Sequence, residues 1–172
     1  MAVIGIDPGT ALTGFGIIEE LSDGSLKAID FGVFRTEATK SPETRLQSLF
    51  DQLNQLIHLH NLDCAAVEKL FFQRNVKTAL IVGQARGVIL LSLKLADLQI
   101  FEYNPMDIKQ SVAGYGRADK KQMQQMVKIL LGLDSIPEPD DAADALAVAI
   151  CHIHSHKVLG LNSTNENDNK FI

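Results

Sequence analysis

The sequence predicts an α/β domain: a mixed β-sheet with helices packed on it. Three features carry that reading. Val3, Ile4 and Ile6 form a short apolar run that stops at Asp7-Pro8-Gly9, as expected of a strand buried on both faces and broken by Pro-Gly. Two further strand-like runs follow at once, separated by short turns, which makes an antiparallel meander. Later strand-like runs, Asp63–Glu68 and Gln99–Tyr103, each follow a helical pattern, and a helical crossover brings a strand back parallel to an earlier one with right-handed connection.

The elements follow in order. Gly14–Ile18 reads as the second strand, and Ser22-Asp23-Gly24-Ser25 as a hairpin turn into a third over Leu26–Phe34. Ser41-Pro42 opens a helix, with Ser as N-cap and Pro at the first helical position. Leu46, Leu49, Phe50, Leu53, Leu56 and Ile57 repeat at helical spacing and form its inward face. Asn75 caps a helix to about Leu95 that is apolar nearly all round, so one side meets the sheet and another is available to a second subunit. A short helix runs from Pro105 to about Ala113, and a flexible loop, Gly114-Tyr115-Gly116-Arg117, leads to an amphipathic helix over Asp119–Leu131. A last helix is expected from about Asp140 to Lys157. Residues 1–157 make one domain. The Asn-, Ser- and Asp-rich remainder, 158–172, reads as a disordered tail.

The chain has 172 residues, enough for a core without staples, and its apolar runs are too short to span a membrane. It opens with no charged-then-apolar leader, and Cys64 and Cys151 stand alone in apolar surroundings. Both features point to reduced thiols in the cytoplasm. A net charge of −5 argues at first against a nucleic-acid binder. The charge is unevenly spread, however: Lys69 to Lys128 holds ten Lys and Arg against four Asp and Glu. That pattern suggests a basic face beside an acidic cluster.

The acids are the chemistry-bearing residues. Asp7 ends the first strand and Glu68 the fourth, and the carboxyl ends of strands are where α/β sheets build ligand sites. The last helix begins Asp140-Asp141-Ala142-Ala143-Asp144. Asp141 and Asp144 share a face, alanines between them permit close approach to the sheet, and three acids exceed what capping of a helix dipole needs. Asp140 leaves the register open by one residue, although the spacing to Asp144 favours Asp141. Asp7, Glu68, Asp141 and Asp144 together offer oxygen ligands with no Cys or His, a set suited to Mg²⁺ or Mn²⁺. Two such ions roughly 3.5–4 Å apart activate water and stabilise the leaving oxygen in phosphodiester hydrolysis. Lys69, directly after Glu68, is a candidate to pair with it. His152, His154 and His156 read as core or surface histidines.

Ile4-Gly5-Ile6-Asp7-Pro8-Gly9, Glu68 followed by Phe71, Gly83-Gln84-Ala85-Arg86-Gly87, Lys109-Gln110 with Gly114 and Gly116, Asp119-Lys120, and Asp141-Ala142-Ala143-Asp144-Ala145-Leu146-Ala147 strongly resemble the RuvC family of Holliday-junction resolvases. The match keeps the motifs in order to about His156. The resemblance implies an RNase H-like fold, a five-stranded mixed sheet in the order 3-2-1-4-5. It implies a homodimer that nicks two like-polarity strands of a four-way DNA junction with Mg²⁺, alongside the branch-migration proteins RuvA and RuvB. It places the catalytic, metal-binding acids on Asp7, Glu68, Asp141 and Asp144. Junction contacts fall on Lys109 and Lys120, with Arg117 in the loop between them, and a stacking aromatic falls on Phe71. Two rivals remain: a non-catalytic junction-binding module of the same fold, and an actin-like ATPase, whose phosphate loop Gly5-Ile6-Asp7-Pro8-Gly9-Thr10 also resembles but whose two lobes need a longer chain.

Overall fold

The computed structural model describes residues 1–9, 11–70 and 76–168, with side chains over 1–9, 11–70 and 79–157. Its elements are β1 (Ala2–Asp7), β2 (Leu12–Glu20), β3 (Leu26–Arg35), α1 (Pro42–Leu59), β4 (Cys64–Glu68), α2 (Val76–Leu95), β5 (Gln99–Tyr103), α3 (Pro105–Ala113), α4 (Lys120–Leu130) and α5 (Asp140–Asp168). The sheet order is β3-β2-β1-β4-β5, as the resemblance implies. β1, β2 and β3 pair antiparallel, and β4 lies parallel to both β1 and β5.

Alternation along the strands divides the core in two. Ile4, Ile6, Ala65 and Val67 face α1 and α2, burying Leu49, Leu53, Ala85, Ile89 and Leu93. Val3, Cys64 and Ala66 face the other way, onto a layer containing α3, α4 and α5. Asp7 and Glu68 share the parity of that second set, so both acids emerge on the α5 side of the sheet.

α5 reaches the sheet because glycines lie beneath it. A Cβ at Gly5 meets the Ala145 carbonyl and the backbone nitrogen of Ala149. One at Gly14 meets the Asp141 carbonyl, and one at Gly16 meets Leu146. Glycine inside a strand marks such a close backbone approach.

The structure moves some expected boundaries. β2 starts at Leu12 and runs to Glu20, because its pairing with β1 extends past the apolar stretch to Glu19. α5 continues to Asp168, where a tail without regular structure was expected from 158. At α1, Ser41 is the N-cap but makes no side-chain bond to the backbone; its hydroxyl lies 3.0 Å from that of Thr44. The expected cap at Asn75 lies outside the described residues.

Candidate acidic cleft

Asp7 and Glu68 stand at the ends of adjacent parallel strands, registered through Ile6↔Val67. Their carboxyl groups are near enough for each to act on the other's titration. Burial pushes the Asp7 carboxyl up to about 6, helped by repulsion from Asp144 and Asp141. Burial pushes Glu68 higher, to about 8, with Asp7 and Asp144 adding repulsion and Lys109 opposing it.

The start of α5 supplies the remaining acids. Asp144 is also raised, by burial first, while Lys120 pulls the other way. Asp140 and Asp141 differ in what they meet. Asp140 is exposed and points to α4, where it meets Lys120 Nζ at 2.9 Å and accepts from Gln124 Nε2 at 2.7 Å. Those bonds hold its carboxyl below the usual range. Asp141 is the neighbour that acts on Asp7, along with Asp144. The structure thus brings Asp7, Glu68, Asp141 and Asp144 together and leaves Asp140 on the rim.

Two cations border these acids. Lys109 on α3 and Lys120 at the start of α4 line a cleft of about 230 Å³ with Glu68 and Asp144. Asp119 caps α4, accepting from the Gln122 backbone N–H at 2.9 Å, so Lys120 occupies the first helical position. A cation there opposes the helix dipole. The cost is offset by the carboxylates it meets: Asp140 at 2.9 Å and Asp144 at 3.7 Å. A lysine placed against local preference and aimed into acids signals a site rather than a scaffold. Lys69 does not pair with Glu68 as expected. Successive strand residues point to opposite faces, so Lys69 is exposed and the cation acting on Glu68 is Lys109. Arg117 is exposed in the loop between α3 and α4, and Phe71 lies outside the described residues.

Sequence reasoning missed the Asp140–Gln124 bracket on Lys120, since Asp140 fits plain helix capping. It also missed the cradle under α5, although two glycines in one strand, Gly14 and Gly16, were the available signal.

The donors suit a hard cation, being carboxylates alone. Among the described residues no three His, Cys, Asp or Glu side chains already close around one point. That is compatible with Mg²⁺, which keeps several waters and takes one or two carboxylates plus substrate phosphate oxygens instead of a full protein cage. The thiols and imidazoles lie elsewhere: Cys64, Cys151 and His152 are buried in the core.

Comparison with known proteins agrees in family and fold. The family described as Crossover junction endodeoxyribonuclease RuvC matches residues 3–152. A relative of that name from Caldicellulosiruptor saccharolyticus is 54% identical over 155 residues, covering 90% of this chain and 93% of its own. The RuvC structure from Thermus thermophilus superposes with a TM-score of 0.85 at 32% identity, covering 92% of this chain and 96% of that one. The same protein in complex with a Holliday junction substrate superposes at 0.84 and 29% identity, with the same coverage.

Proposed function

The chain belongs to the RuvC family of crossover junction endodeoxyribonucleases, and from that premise we propose how its acidic cleft resolves a Holliday junction. The activity is metal-dependent cleavage of DNA phosphodiester bonds. Asp7, Glu68, Asp141 and Asp144 hold divalent cations, Mg²⁺ with Mn²⁺ as a substitute. The supporting observation is the placing of Asp7 and Glu68 at adjacent strand ends, with Glu68 and Asp144 lining one cleft: buried acids that repel one another favour a bound cation. Bound ions there supply a Lewis acid and a metal-activated water. The protein's own part is to hold the carboxylates on a rigid strand pair and helix start, and to present Lys109 and Lys120 to the phosphates flanking the cut. Phe71 is assigned to stacking at the crossover on its sequence position alone. Residues 1–157 carry this activity, in the cytoplasm, with RuvA and RuvB as partners. No helix among the described residues is long and apolar enough to cross a membrane.

The test is direct. Incubating the protein with a synthetic four-way junction should give paired nicks in two like-polarity strands with Mg²⁺ and none in EDTA. Junction binding without nicking in any divalent cation would leave a non-catalytic module.

The lysines make a separate prediction. Each phosphate contact contributes about one released ion to the salt dependence of binding. Lys109→Ala or Lys120→Ala should weaken binding to junctions of every sequence alike and flatten the salt slope by about one. An unchanged slope places that lysine off the DNA.

Paired nicks need two sites, and α2 offers the surface that brings them together. Ala85, Ile89 and Leu93 are buried against the sheet side. Leu80, Leu91 and Leu95 are 66%, 54% and 64% exposed on another side. Between them Gly83 and Gly87 are open, with nothing within 4 Å of an added Cβ. A large apolar stripe with room for close backbone approach fits a two-fold interface with its own copy. The wild type should sediment as a dimer at micromolar concentration and Leu91→Glu as a monomer. A monomeric wild type excludes α2 as the dimer seam.

A further inference from the structure

α5 lies close to the sheet through small residues and glycines, and its acids meet those of the strands only at one position along the sheet. Ala145 and Ala149 lie over Gly5, Ala145 and the Asp141 backbone over Gly14, and Leu146 over Gly16. Helices and sheets are normally registered by side-chain ridges seated in grooves. Methyl groups over glycine provide shallow ridges, and Leu146 over Gly16 supplies a larger one. Yet Asp141 and Asp144 ride on α5 and must meet Asp7 and Glu68, which ride on the sheet.

A directional lock stands about two helical turns further along. His152 is 1% exposed, and both its ring nitrogens find partners. Nε2 lies 3.2 Å from Cys64 Sγ, and Nδ1 lies 2.8 Å from the Tyr103 hydroxyl. The His152 ring also packs on Phe101, centroids 4.4 Å apart. The partners are placed to matter. Cys64 begins the strand that Glu68 ends, and Tyr103 is registered beside Glu68 across β4 and β5. The network therefore ties α5 to the two strands that frame Glu68.

We infer that His152 is a positioning residue, which through Tyr103 and Cys64 sets the register of α5 on β4 and β5 and so the spacing of Asp141 and Asp144 from Asp7 and Glu68. It touches neither ion nor DNA. Both ring nitrogens are used, so the lock is geometric: a neutral imidazole has one donor and one acceptor, and the hydroxyl and thiol can supply the complements. The inference rests on the four acids being the metal ligands.

The experiment uses the full chain. Mn²⁺ binding is measured by titration calorimetry without DNA, beside melting temperature, for the wild type, Tyr103→Phe, His152→Gln and His152→Leu. Leu53→Ala, on the opposite face of the sheet, serves as a control for general destabilisation. Tyr103→Phe and His152→Leu should weaken Mn²⁺ binding on the order of tenfold, the lower range for groups that orient metal ligands. His152→Gln, able to donate and accept, should recover most of it. Leu53→Ala should melt earlier and bind Mn²⁺ like the wild type. If His152→Leu does not fold, Tyr103→Phe and His152→Gln carry the test. Unchanged Mn²⁺ affinity in Tyr103→Phe, or an equal loss in Leu53→Ala, overturns the inference alone. A wild type that binds no Mn²⁺ overturns the ligand assignment first and the inference with it.

Discussion

Asp7→Asn should lower junction cleavage by roughly two orders of magnitude or more while making the metal-free protein more stable at pH 8. The loss follows from removing a charged ligand from a site that offers only carboxylates. The gain follows from linkage. Folding raises the Asp7 carboxyl from 3.8 to about 6 and Glu68 from 4.5 to about 8, burial being the largest cause in each. The folded state therefore binds protons more tightly than the unfolded chain. The stability this pair contributes is fully present below about pH 4 and is lost as pH rises through 6 and then 8. In EDTA the wild type should accordingly melt at a lower temperature at pH 8 than at pH 6. The Asn variant should keep part of that slope, because burial of Glu68, its largest cause, remains and only the repulsion from Asp7 is gone. Mg²⁺ should raise the melting temperature of the wild type, more at pH 8 than at pH 6, and do little for the variant. Differential scanning fluorimetry with and without Mg²⁺ reads the whole pattern. A wild type whose melting temperature rises from pH 6 to pH 8 in EDTA contradicts the repulsion argument, whatever the variant does in cleavage.

The second large effect is expected at Gly5, which carries no chemistry. Its missing side chain admits the backbone of α5, and an added Cβ meets the Ala145 carbonyl and Ala149 nitrogen. Neither belongs to a flexible side chain that could swing aside, so α5 itself must move. Overpacking of this kind costs about 1–3 kcal/mol and sometimes more. The displaced helix carries Asp141 and Asp144 away from Asp7 and Glu68. Gly5→Ala should thus show both a lower melting temperature and a loss of cleavage in the fraction that stays folded. Gly87→Ala, at an open position of α2, should leave monomer stability unchanged or improved, since alanine favours a helix. If folded Gly5→Ala cuts at the wild-type rate, the approach of α5 through Gly5 does not set the cleft geometry.

Much of this was readable from residue order, for physical reasons. Strand and helix periodicities differ, so the elements separate cleanly, and β5 and α3 fall where the pattern places them. Acids at strand ends and at a helix start are conspicuous because neither place needs so many. A crossover helix predicts that the strand ending at Glu68 lies parallel to an earlier one, and the register shows that this strand is β1, which puts Glu68 beside Asp7.

What periodicity does not encode is direction across space. Whether Asp140 or Asp141 enters the cleft depends on the rotation of α5, which the contacts of Asp140 with Lys120 and Gln124 reveal. That Lys109 and not Lys69 acts on Glu68 depends on which face of the sheet each element covers. His152 looks in sequence like one histidine among three near a chain end. Only packing makes it the buried partner of Cys64 and Tyr103, residues far away along the chain. By itself the sequence determined the elements and singled out the candidate acids, because these rest on local propensity and short-range spacing, while the sheet order came from its resemblance to a family. The tertiary structure decided which acids converge, which cations answer them and what holds α5 in place, because those depend on backbone approach and side-chain direction between elements distant in sequence.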